Sequence, residues 1–278
     1  MAAEVQTHPG ASAARTAPAA PRGASAGQYP LGELLENRRW VRRTDPFPHV
    51  YARDVFVPDF YARLDDEFRR VEREHRDVFE RNMRGYDASG ASVSRFRDGP
   101  LGIFVSRAWH DMIARVAGVQ ATGDVNATLH HHEPGSQSGW PHNDLNPAWF
   151  AGSSPAAGEI RFEHTDGVAL HTGERPAGAT ARESIRAVSL LFYLGNPRWE
   201  PGDGGETGLF ADVASARRGP AVAVPPINNS MVFFECTPRS WHAFLGNHTS
   251  PRNSVVMWLH RTKDEVVDRW GDQSIEYW

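Results

Sequence analysis

The chain has a single cysteine, a single lysine and no long apolar run. Because Cys236 is the only cysteine among 278 residues, an intramolecular disulfide and a cysteine-rich zinc site are both excluded. No apolar run reaches about 18 residues, the length typical of a membrane span. The N-terminus also lacks the basic start and apolar stretch of a secretory signal. We therefore expect a cytoplasmic protein in a reducing compartment, with no membrane partner.

Lysine is scarce, and basic residues do not outnumber acidic ones. Lys263 is the only lysine, and 30 basic against 34 acidic residues give a formal net charge of −4. A chain with this balance lacks the basic surface field that attracts nucleic acid. Nucleic-acid binding, including nucleic-acid demethylation, is therefore disfavoured.

What remains is the composition of an ordinary globular protein. Hydrophobic residues make up 40% of the chain and charged residues 23%, which is enough to build a sizeable core. Residues 1–27 differ, because Ala, Gly, Pro, Ser and Thr dominate them. Such a stretch buries too little apolar surface to offset its ordering entropy. We predict a disordered tail over 1–27 and a single domain over 28–278.

The order of predicted elements indicates the fold class. A first helix is predicted over 58–75, with Asp59 as its N-cap and large apolar residues on one face: Phe60, Leu64, Phe68 and Val71. A second helix, containing Trp109, ends near Gly118. Strands follow, separated by Gly, Pro and Asp clusters, over 124–132, 187–195, 207–211, 221–224, 230–235, 241–245 and 254–261. This order predicts an α+β chain, mainly β, whose N-terminal helices buttress a barrel.

Three residues in the second half of the chain are candidate metal ligands. His142 and Asp144 are two positions apart, so in an extended strand they point to the same side and can reach one ion. His242, from a distant strand, would complete the two-histidine, one-carboxylate set that holds a non-haem Fe(II) by one face. Taken singly, each residue is more often a surface or core residue. Their combination with Arg252, ten positions after His242, favours an iron-dependent oxygenase that uses a 2-oxo acid.

Arg252 is the candidate anchor for that oxo acid. Its planar fork of five donors can grip a carboxylate at two points. It opens an apolar run in which alternation places Arg252 and Ser254 on one face, and an arginine facing a barrel interior needs a partner. The alternative is a surface arginine in the turn after Pro251. A cupin-like barrel that only binds a metal or a sugar has no need of such a clamp, so Arg252 discriminates between the two functions.

At these residues the chain resembles the Fe(II)/2-oxoglutarate-dependent oxygenase superfamily, particularly its prolyl-4-hydroxylase-like branch. The resemblance rests on 190–195, 203–207 and 231–234, together with the block that contains His242, Arg252 and Ser254. It implies a double-stranded β-helix, or jelly roll, with the iron between its two sheets. It also implies Fe(II) as the metal of the three ligands and 2-oxoglutarate as the co-substrate of Arg252 and Ser254.

One position departs from the family pattern. A tyrosine in a Tyr-x-x-Gly pattern often contacts the co-substrate there, and His132 stands in its place, before Gly135. His130 and His132 would share one face of the strand, with His131 on the other. Two roles are open for His132. It could contact the oxo acid, or it could be a strand histidine whose hydrogen bonds are satisfied by its neighbours.

The substrate-binding residues are less constrained by the sequence. Trp140 and Trp149 flank the metal-binding segment and would line the mouth of the site, although core or rim packing is more common for any single tryptophan. Asn143 would point away from the metal, toward the barrel wall or an edge of the substrate. Arg95 and Tyr86 lie in a predicted loop over 84–99 and are candidates for recognising a polar substrate. The long polar stretch over 151–184 is a further candidate for handling the substrate.

The resemblance also implies the reaction. Fe(II), 2-oxoglutarate and O2, with ascorbate as a candidate further cofactor, would hydroxylate an unactivated C–H bond and release succinate and CO2. Retention of Asp144 argues for hydroxylation or another hydrogen-abstraction outcome over halogenation. The leading substrate class is a small molecule or a carrier-bound amino acid in specialised metabolism. The alternative is a peptidyl or protein side-chain hydroxylase of the prolyl type. The oligomeric state is open, with a homodimer as one option.

Overall fold

The computed structural model describes residues 29–81 and 86–277, so the tail predicted over 1–27 lies outside the described residues. The helices are α1 (Leu31–Leu34), α2 (Pro58–Glu74), α3 (Arg107–Ala117) and α4 (Lys263–Trp270). The strands are β1 (Val41–Arg43), β2 (His49–Ala52), β3 (Glu80–Arg81), β4 (Ser89–Ser92), β5 (Asp124–His132), β6 (Pro147–Ala151), β7 (Arg161–Phe162), β8 (Ala181–Tyr193), β9 (Thr207–Leu209), β10 (Val222–Val224), β11 (Ser230–Glu235), β12 (His242–Phe244) and β13 (Arg252–Thr262). Among the described residues, no helix has the length and apolar character to span a bilayer.

The strands form a large sheet and a small one. The ten-stranded sheet has the order β1-β2-β11-β8-β13-β5-β4-β3, with β6 also paired to β8 and β7 to β5. All of its pairings are antiparallel except that of β7 with β5. The three-stranded sheet has the order β10-β9-β12. This is the mainly β architecture with preceding helices that the sequence predicts.

Alternation along β8 shows how the large sheet is covered on both faces. Leu190 and Phe192 pack in the core cluster that contains the apolar faces of α2 and α3. Leu191 and Tyr193 pack in a second cluster, with Leu209 of the small sheet. Because successive residues of a strand point to opposite faces, one face of the large sheet packs on helices and the other faces the small sheet. The functional site lies on the second face.

The two long N-terminal helices lie close to their predicted positions. The predicted buried face of α2 is confirmed, since its buried residues are Phe60, Leu64, Phe68 and Val71. The prediction of Asp59 as N-cap is wrong. Val57 holds that position without a side-chain cap, and Asp59 lies in the first turn, where its negative charge complements the helix dipole. Helix α3 ends at Gly118, which has a φ of +78° that suits glycine.

The strand predictions are accurate inside the sheet and incomplete at its margins. The bounds of β5 and β11 agree with the predicted ranges, whereas β8 begins at Ala181 rather than at 187. The extra residues of β8 pair with β6, which the sequence did not predict. Strand β4 lies within the predicted loop over 84–99. Its residues form a strand because they pair with an edge of β5. These short strands depend on tertiary pairing more than on their own composition.

Candidate metal and co-substrate site

Two distant histidines are brought together by a backbone bridge. His142 and His242 form an isolated antiparallel bridge, in which each backbone N–H donates to the carbonyl oxygen of the other, at 3.0 and 2.8 Å. Their imidazole ring centroids are 4.3 Å apart. His242 is the first residue of β12, so the small sheet carries one histidine and the segment after β5 carries the other.

Asp144 reaches the same point by a different backbone route from the one predicted. The extended strand expected for His142–Asp144 is wrong, because Asp144 has a φ of +60° and lies outside any strand. The side-chain oxygen of Asn143 accepts a hydrogen bond from the backbone N–H of Leu145 at 2.9 Å, which closes a tight turn. Left-handed backbone is uncommon outside glycine and tends to cluster at functional sites.

The turn nevertheless places the carboxylate against both imidazoles. Asp144 Oδ1 lies 3.8 Å from His142 Nε2, and Asp144 Oδ2 lies 3.4 Å from His242 Nε2. One donor atom from each of the three residues lies within 4.8 Å of the others, and all three residues are buried. The structure therefore brings together the three residues that the sequence predicts as metal ligands.

Both imidazoles are held in the tautomer that a metal requires. His142 Nδ1 donates to the carbonyl oxygen of Trp140 at 3.0 Å, and His242 Nδ1 donates to that of Ser240 at 2.9 Å. In a neutral imidazole this leaves Nε2, the atom that faces Asp144, unprotonated. Burial and, next, the neighbouring His242 lower the pKa of His142 to about 4, so its imidazole is neutral at physiological pH. Hydrogen bonds to the outer ring nitrogens are the usual support of metal-binding histidines.

Three donors orient the carboxylate of Asp144. Arg186 Nη1 donates to Oδ1 at 2.5 Å, while Ser189 Oγ and Trp258 Nε1 donate to Oδ2 at 2.9 and 2.8 Å. The guanidinium carbon of Arg186 lies 4.1 Å from the centroid of the Trp258 ring. Burial alone would raise the pKa of Asp144, but the charge of Arg186 and the adjacent imidazoles hold it well below its ordinary value. The carboxylate is therefore ionised.

Sequence reasoning missed these supporting residues, although two signals pointed to them. Trp258 shares the face of β13 with Arg252 by simple alternation, and Ser189 is a polar residue inside an otherwise apolar strand. Arg186 immediately precedes the predicted strand over 187–195. Two neutral imidazole nitrogens and one ionised carboxylate, each with its outer hydrogen bonds satisfied, fit a divalent iron.

Arg252 lies in the same cavity and has only hydroxyl partners for its guanidinium. It is 3% exposed, and its two terminal nitrogens donate to Ser254 Oγ at 2.9 Å and to Thr207 Oγ1 at 3.1 Å. Its Nε has no hydrogen-bond partner, and within residues 29–81 and 86–277 no carboxylate forms an ion pair with it. The rings of Tyr193 and Phe244 flank it, with centroids 5.2 and 5.6 Å from its guanidinium carbon. A buried cation in this state fits the carboxylate of an added molecule.

His132 lies directly beside Arg252. The two residues are register partners between β5 and β13, and the ring of His132 stacks on Phe244 with centroids 3.8 Å apart. Burial and the charge of Arg252 lower the pKa of His132 well below its ordinary value, so the ring is neutral. Its Nδ1 has no hydrogen-bond partner within the described part of the chain. His132 thus presents an unused nitrogen next to the proposed anchor.

One cavity of about 200 Å³ contains all of these groups. Its wall includes the three candidate ligands, Arg252 and His132, and alternate residues of β5 that face it together: Asn126, Thr128, His130 and His132. His131, on the other face of β5, hydrogen-bonds Asn253 instead. The predicted division of these histidines between two faces is therefore confirmed.

The structure divides the five candidate substrate residues. Tyr86 and Arg95 line the cavity, and the ring centroid of Tyr86 lies 6.3 Å from that of His142. The side-chain oxygen of Asn143 accepts the hydrogen bond that closes the turn. Trp140 is 39% exposed and packs against the outer side of the His142 ring, while Trp149 packs on Gly173. Neither tryptophan nor Asn143 is among the described residues that line the cavity.

Comparison with known proteins agrees with this geometry. Residues 156–260 match the family model described as the 2OG-Fe(II) oxygenase superfamily. Over this stretch the chain is similar to that superfamily. The prolyl 3,4-dihydroxylase OGFOD1 of Ostreococcus tauri is 37% identical over 94 residues, which cover 30% of this chain. The match spans only 18% of that relative's length.

A solved structure of low sequence identity shares the fold of this chain. A prolyl hydroxylase from Trichoplax adhaerens, in complex with a hypoxia inducible factor oxygen degradation domain peptide fragment, has a TM-score of 0.52 at 15% identity. The alignment covers 80% of this chain and 86% of that one. A Pseudomonas putida prolyl-4-hydroxylase aligns over 77% of this chain and 92% of its own, at 17% identity and a TM-score of 0.45. The predicted double-stranded β-helix is confirmed.

Proposed function

We propose that this protein is a member of the 2OG-Fe(II) oxygenase superfamily and acts as an Fe(II)- and 2-oxoglutarate-dependent dioxygenase. It hydroxylates an unactivated C–H bond of a small molecule or a carrier-bound amino acid, with succinate and CO2 as co-products. We take residues 28–278 as the single domain that carries this activity. The observation that supports the proposal most strongly is Arg252, a buried guanidinium with hydroxyl partners only, in the same cavity as His142, Asp144 and His242.

The three candidate ligands would hold Fe(II) through two imidazole nitrogens and one carboxylate. Bound Fe(II) would supply O2 activation coupled to decarboxylation of the oxo acid. The protein contributes the geometry: Trp140 and Ser240 fix the two imidazoles by their carbonyl oxygens, and Arg186 holds the carboxylate in place. Such outer-sphere contacts determine both the affinity for the metal and the direction of its ligands.

Arg252 would orient the oxo acid by its distal carboxylate. Thr207 and Ser254 hold the guanidinium from one side, so its remaining donors are available on the side of the cavity. Phe244 and Tyr193 surround the guanidinium with aromatic surface, which limits the access of water and strengthens a charge-assisted hydrogen bond. Neutral His132 offers a further hydrogen-bonding nitrogen to the same ligand.

A prolyl side-chain hydroxylase is the second candidate function. The similarity to the Ostreococcus tauri prolyl 3,4-dihydroxylase favours it. The same metal and co-substrate residues would serve this function, so the two candidates differ only in what occupies the rest of the cavity. A binding-only barrel of the cupin type is disfavoured, because such a barrel has no role for Arg252.

The test is a screen for Fe(II)-dependent succinate release. Purified protein is given Fe(II), 2-oxoglutarate and O2 with three substrate sets: free small molecules, carrier-bound amino acids and proline-containing peptides. We expect stimulation by members of the first two sets. Stimulation by the peptides alone would support the second candidate. Failure of the protein to convert 2-oxoglutarate under every condition would contradict the proposed function.

A further inference from the structure

The cavity contains a buried carboxyl group that the proposed chemistry does not use. Glu163 follows β7 directly, is 5% exposed and lines the same cavity as the metal and co-substrate residues. The hydroxyl of Ser92 donates to its Oε1. Its Oε2 is buried and has no hydrogen-bond partner within residues 29–81 and 86–277. Within the described residues its polar side-chain neighbours are the hydroxyls of Ser92 and Ser94, and no basic side chain forms an ion pair with it.

Two serine hydroxyls surround the carboxyl of Glu163. Ser92 Oγ accepts from the backbone N–H of Ser94 at 3.2 Å and lies 2.7 Å from Ser94 Oγ. The same hydroxyl is hydrogen-bonded to Glu163 Oε1. Burial raises the pKa of Glu163 to about 7, and the bond from Ser92 opposes that rise. A nearby cation would favour the ionised form further.

Strand register gives the position of Glu163 in the cavity. Phe162 is the parallel partner of Val125, so Glu163 continues beside Asn126. Asn126 is in turn the register partner of Trp258, whose indole donates to Asp144. Glu163 therefore lies at the far end of β5 from Arg252, beside Asn126. Two strand spacings, from β7 to β5 and from β5 to β13, place its backbone about 10 Å across the sheet from the Trp258 backbone.

The described cationic groups do not neutralise this carboxyl. Arg95 lines the same cavity but is exposed at its mouth, and no arginine, lysine or histidine of the described residues forms an ion pair with Glu163. A buried carboxylate without a partner is costly, whereas a cation held against it would offset the loss of hydration. The group therefore has the properties of a binding site for a positive charge brought in from outside.

We infer that Glu163 is the subsite for a protonated amine of the substrate. The substrate is then a primary or secondary amine, either a free small molecule or an amino-acid unit, whose ammonium group binds Glu163 while its reacting carbon faces the metal ligands. This inference rests on the proposed function and narrows its substrate class.

The experiment compares paired probes on the wild-type protein and three variants. The probes are primary and secondary amines of four to ten heavy atoms, each paired with its N-acetyl derivative, which has no charge. The readout is the stimulation of succinate release in the presence of Fe(II) and 2-oxoglutarate. Glu163→Gln keeps the shape of the side chain and removes its charge. Ser92→Ala removes the hydroxyl that is hydrogen-bonded to Glu163. Glu174→Gln is the control, because it makes the same change of charge at an exposed position.

We expect one or more amines to stimulate succinate release at least tenfold over their N-acetyl partners. Glu163→Gln should lose that difference, Ser92→Ala should reduce it several-fold, and Glu174→Gln should retain it. Thermal stabilisation of the wild-type protein by the same amines, and not by their partners, gives a readout that does not depend on turnover or on the folding of a variant.

Three results would overturn the amine subsite: stimulation by acetylated probes as strong as by amines, stimulation by no amine, or an unchanged difference in Glu163→Gln. In each of these cases, substrate-independent succinate release by the wild-type protein would show that the proposed function still stands. If the wild-type protein shows no such basal release, the result would instead count against the proposed function itself.

Discussion

Arg252 shows at the scale of one residue why a buried charge indicates a ligand. Replacing it with alanine should weaken 2-oxoglutarate binding roughly 30- to 150-fold, since hydrogen bonds to charged groups contribute about 2–3 kcal/mol. Arg252→Lys should give an intermediate affinity, because it keeps the charge and loses the planar fork. The measurement is an anaerobic titration of the Fe(II)-loaded protein with 2-oxoglutarate. Arg198→Ala, at an exposed arginine, is the control. Unchanged affinity in Arg252→Ala would remove the residue from the co-substrate site.

Trp258 allows a residue-scale test of the support around the metal ligands. Trp258→Phe keeps an aromatic ring and removes the indole N–H that donates to Asp144 at 2.8 Å. We expect the affinity for Fe(II), or for Mn(II) as its stand-in, to fall about 10- to 100-fold, as is usual when a ligand loses its outer hydrogen bond. Trp270→Phe, at the last residue of α4, is the matched control. Equal metal affinity in both variants would show that the indole has no such role.

The raised pKa of Glu163 leads to a prediction about folding stability that does not depend on a substrate. Burial raises its pKa from the ordinary value of 4.5 to about 7. Between these two values the folded state holds a proton that the unfolded state has released, so folding stability falls as the pH rises from 4.5 toward 7. Glu163→Gln should remove this loss, on the order of 3 kcal/mol, since one pKa unit corresponds to about 1.4 kcal/mol.

Urea unfolding at pH 5 and pH 8 measures that effect. The free energy of unfolding of Glu163→Gln minus that of the wild-type protein should be larger at pH 8 than at pH 5. Parallel pH profiles for the two proteins would mean that the carboxyl titrates normally in the folded state.

At the scale of elements, the sequence predicts what is set by local pattern. The apolar face of α2, the bounds of β5 and the alternation of β13 follow from periods of 3.6 and two residues. Strands β6 and β7 were missed because they exist through pairing with β8 and β5. The left-handed turn at Asp144 was missed for a related reason. It is held by the side chain of Asn143 and by tertiary contacts to the carboxylate, which no periodicity reveals.

Helix α2 provides the element-scale prediction. Leu64 is fully buried between the helix and the large sheet, whereas Asp66 on the same helix is exposed. Leu64→Ala should lower the free energy of unfolding by about 2–5 kcal/mol, because it leaves a cavity in a packed core. Asp66→Ala should change it by less than about 0.5 kcal/mol. Chemical denaturation of both variants provides the comparison, and similar losses would contradict the assigned face.

At the scale of the whole molecule, the site depends on the closure of two sheets. The small sheet carries His242, the large sheet carries Arg252, and the segment after β5 carries His142 and Asp144. Sequence spacing was enough to predict that these four residues lie together, because each belongs to a short recognisable pattern. Glu163 and Arg186 belong to no such pattern, and their contacts are with residues far away in the chain. The sequence therefore did not reveal that these two side chains line the cavity.

The most direct test of this arrangement is spectroscopic. Anaerobic protein with Fe(II) and 2-oxoglutarate should develop a weak visible metal-to-ligand charge-transfer band, which requires a ferrous ion and a chelating oxo acid in one site. His142→Ala and His242→Ala should each abolish the band, and Trp149→Phe, at a ring that packs on Gly173 outside the cavity, should keep it. Absence of the band in the wild-type protein, or its persistence in both histidine variants, would contradict the claim that these residues form an iron and 2-oxoglutarate site.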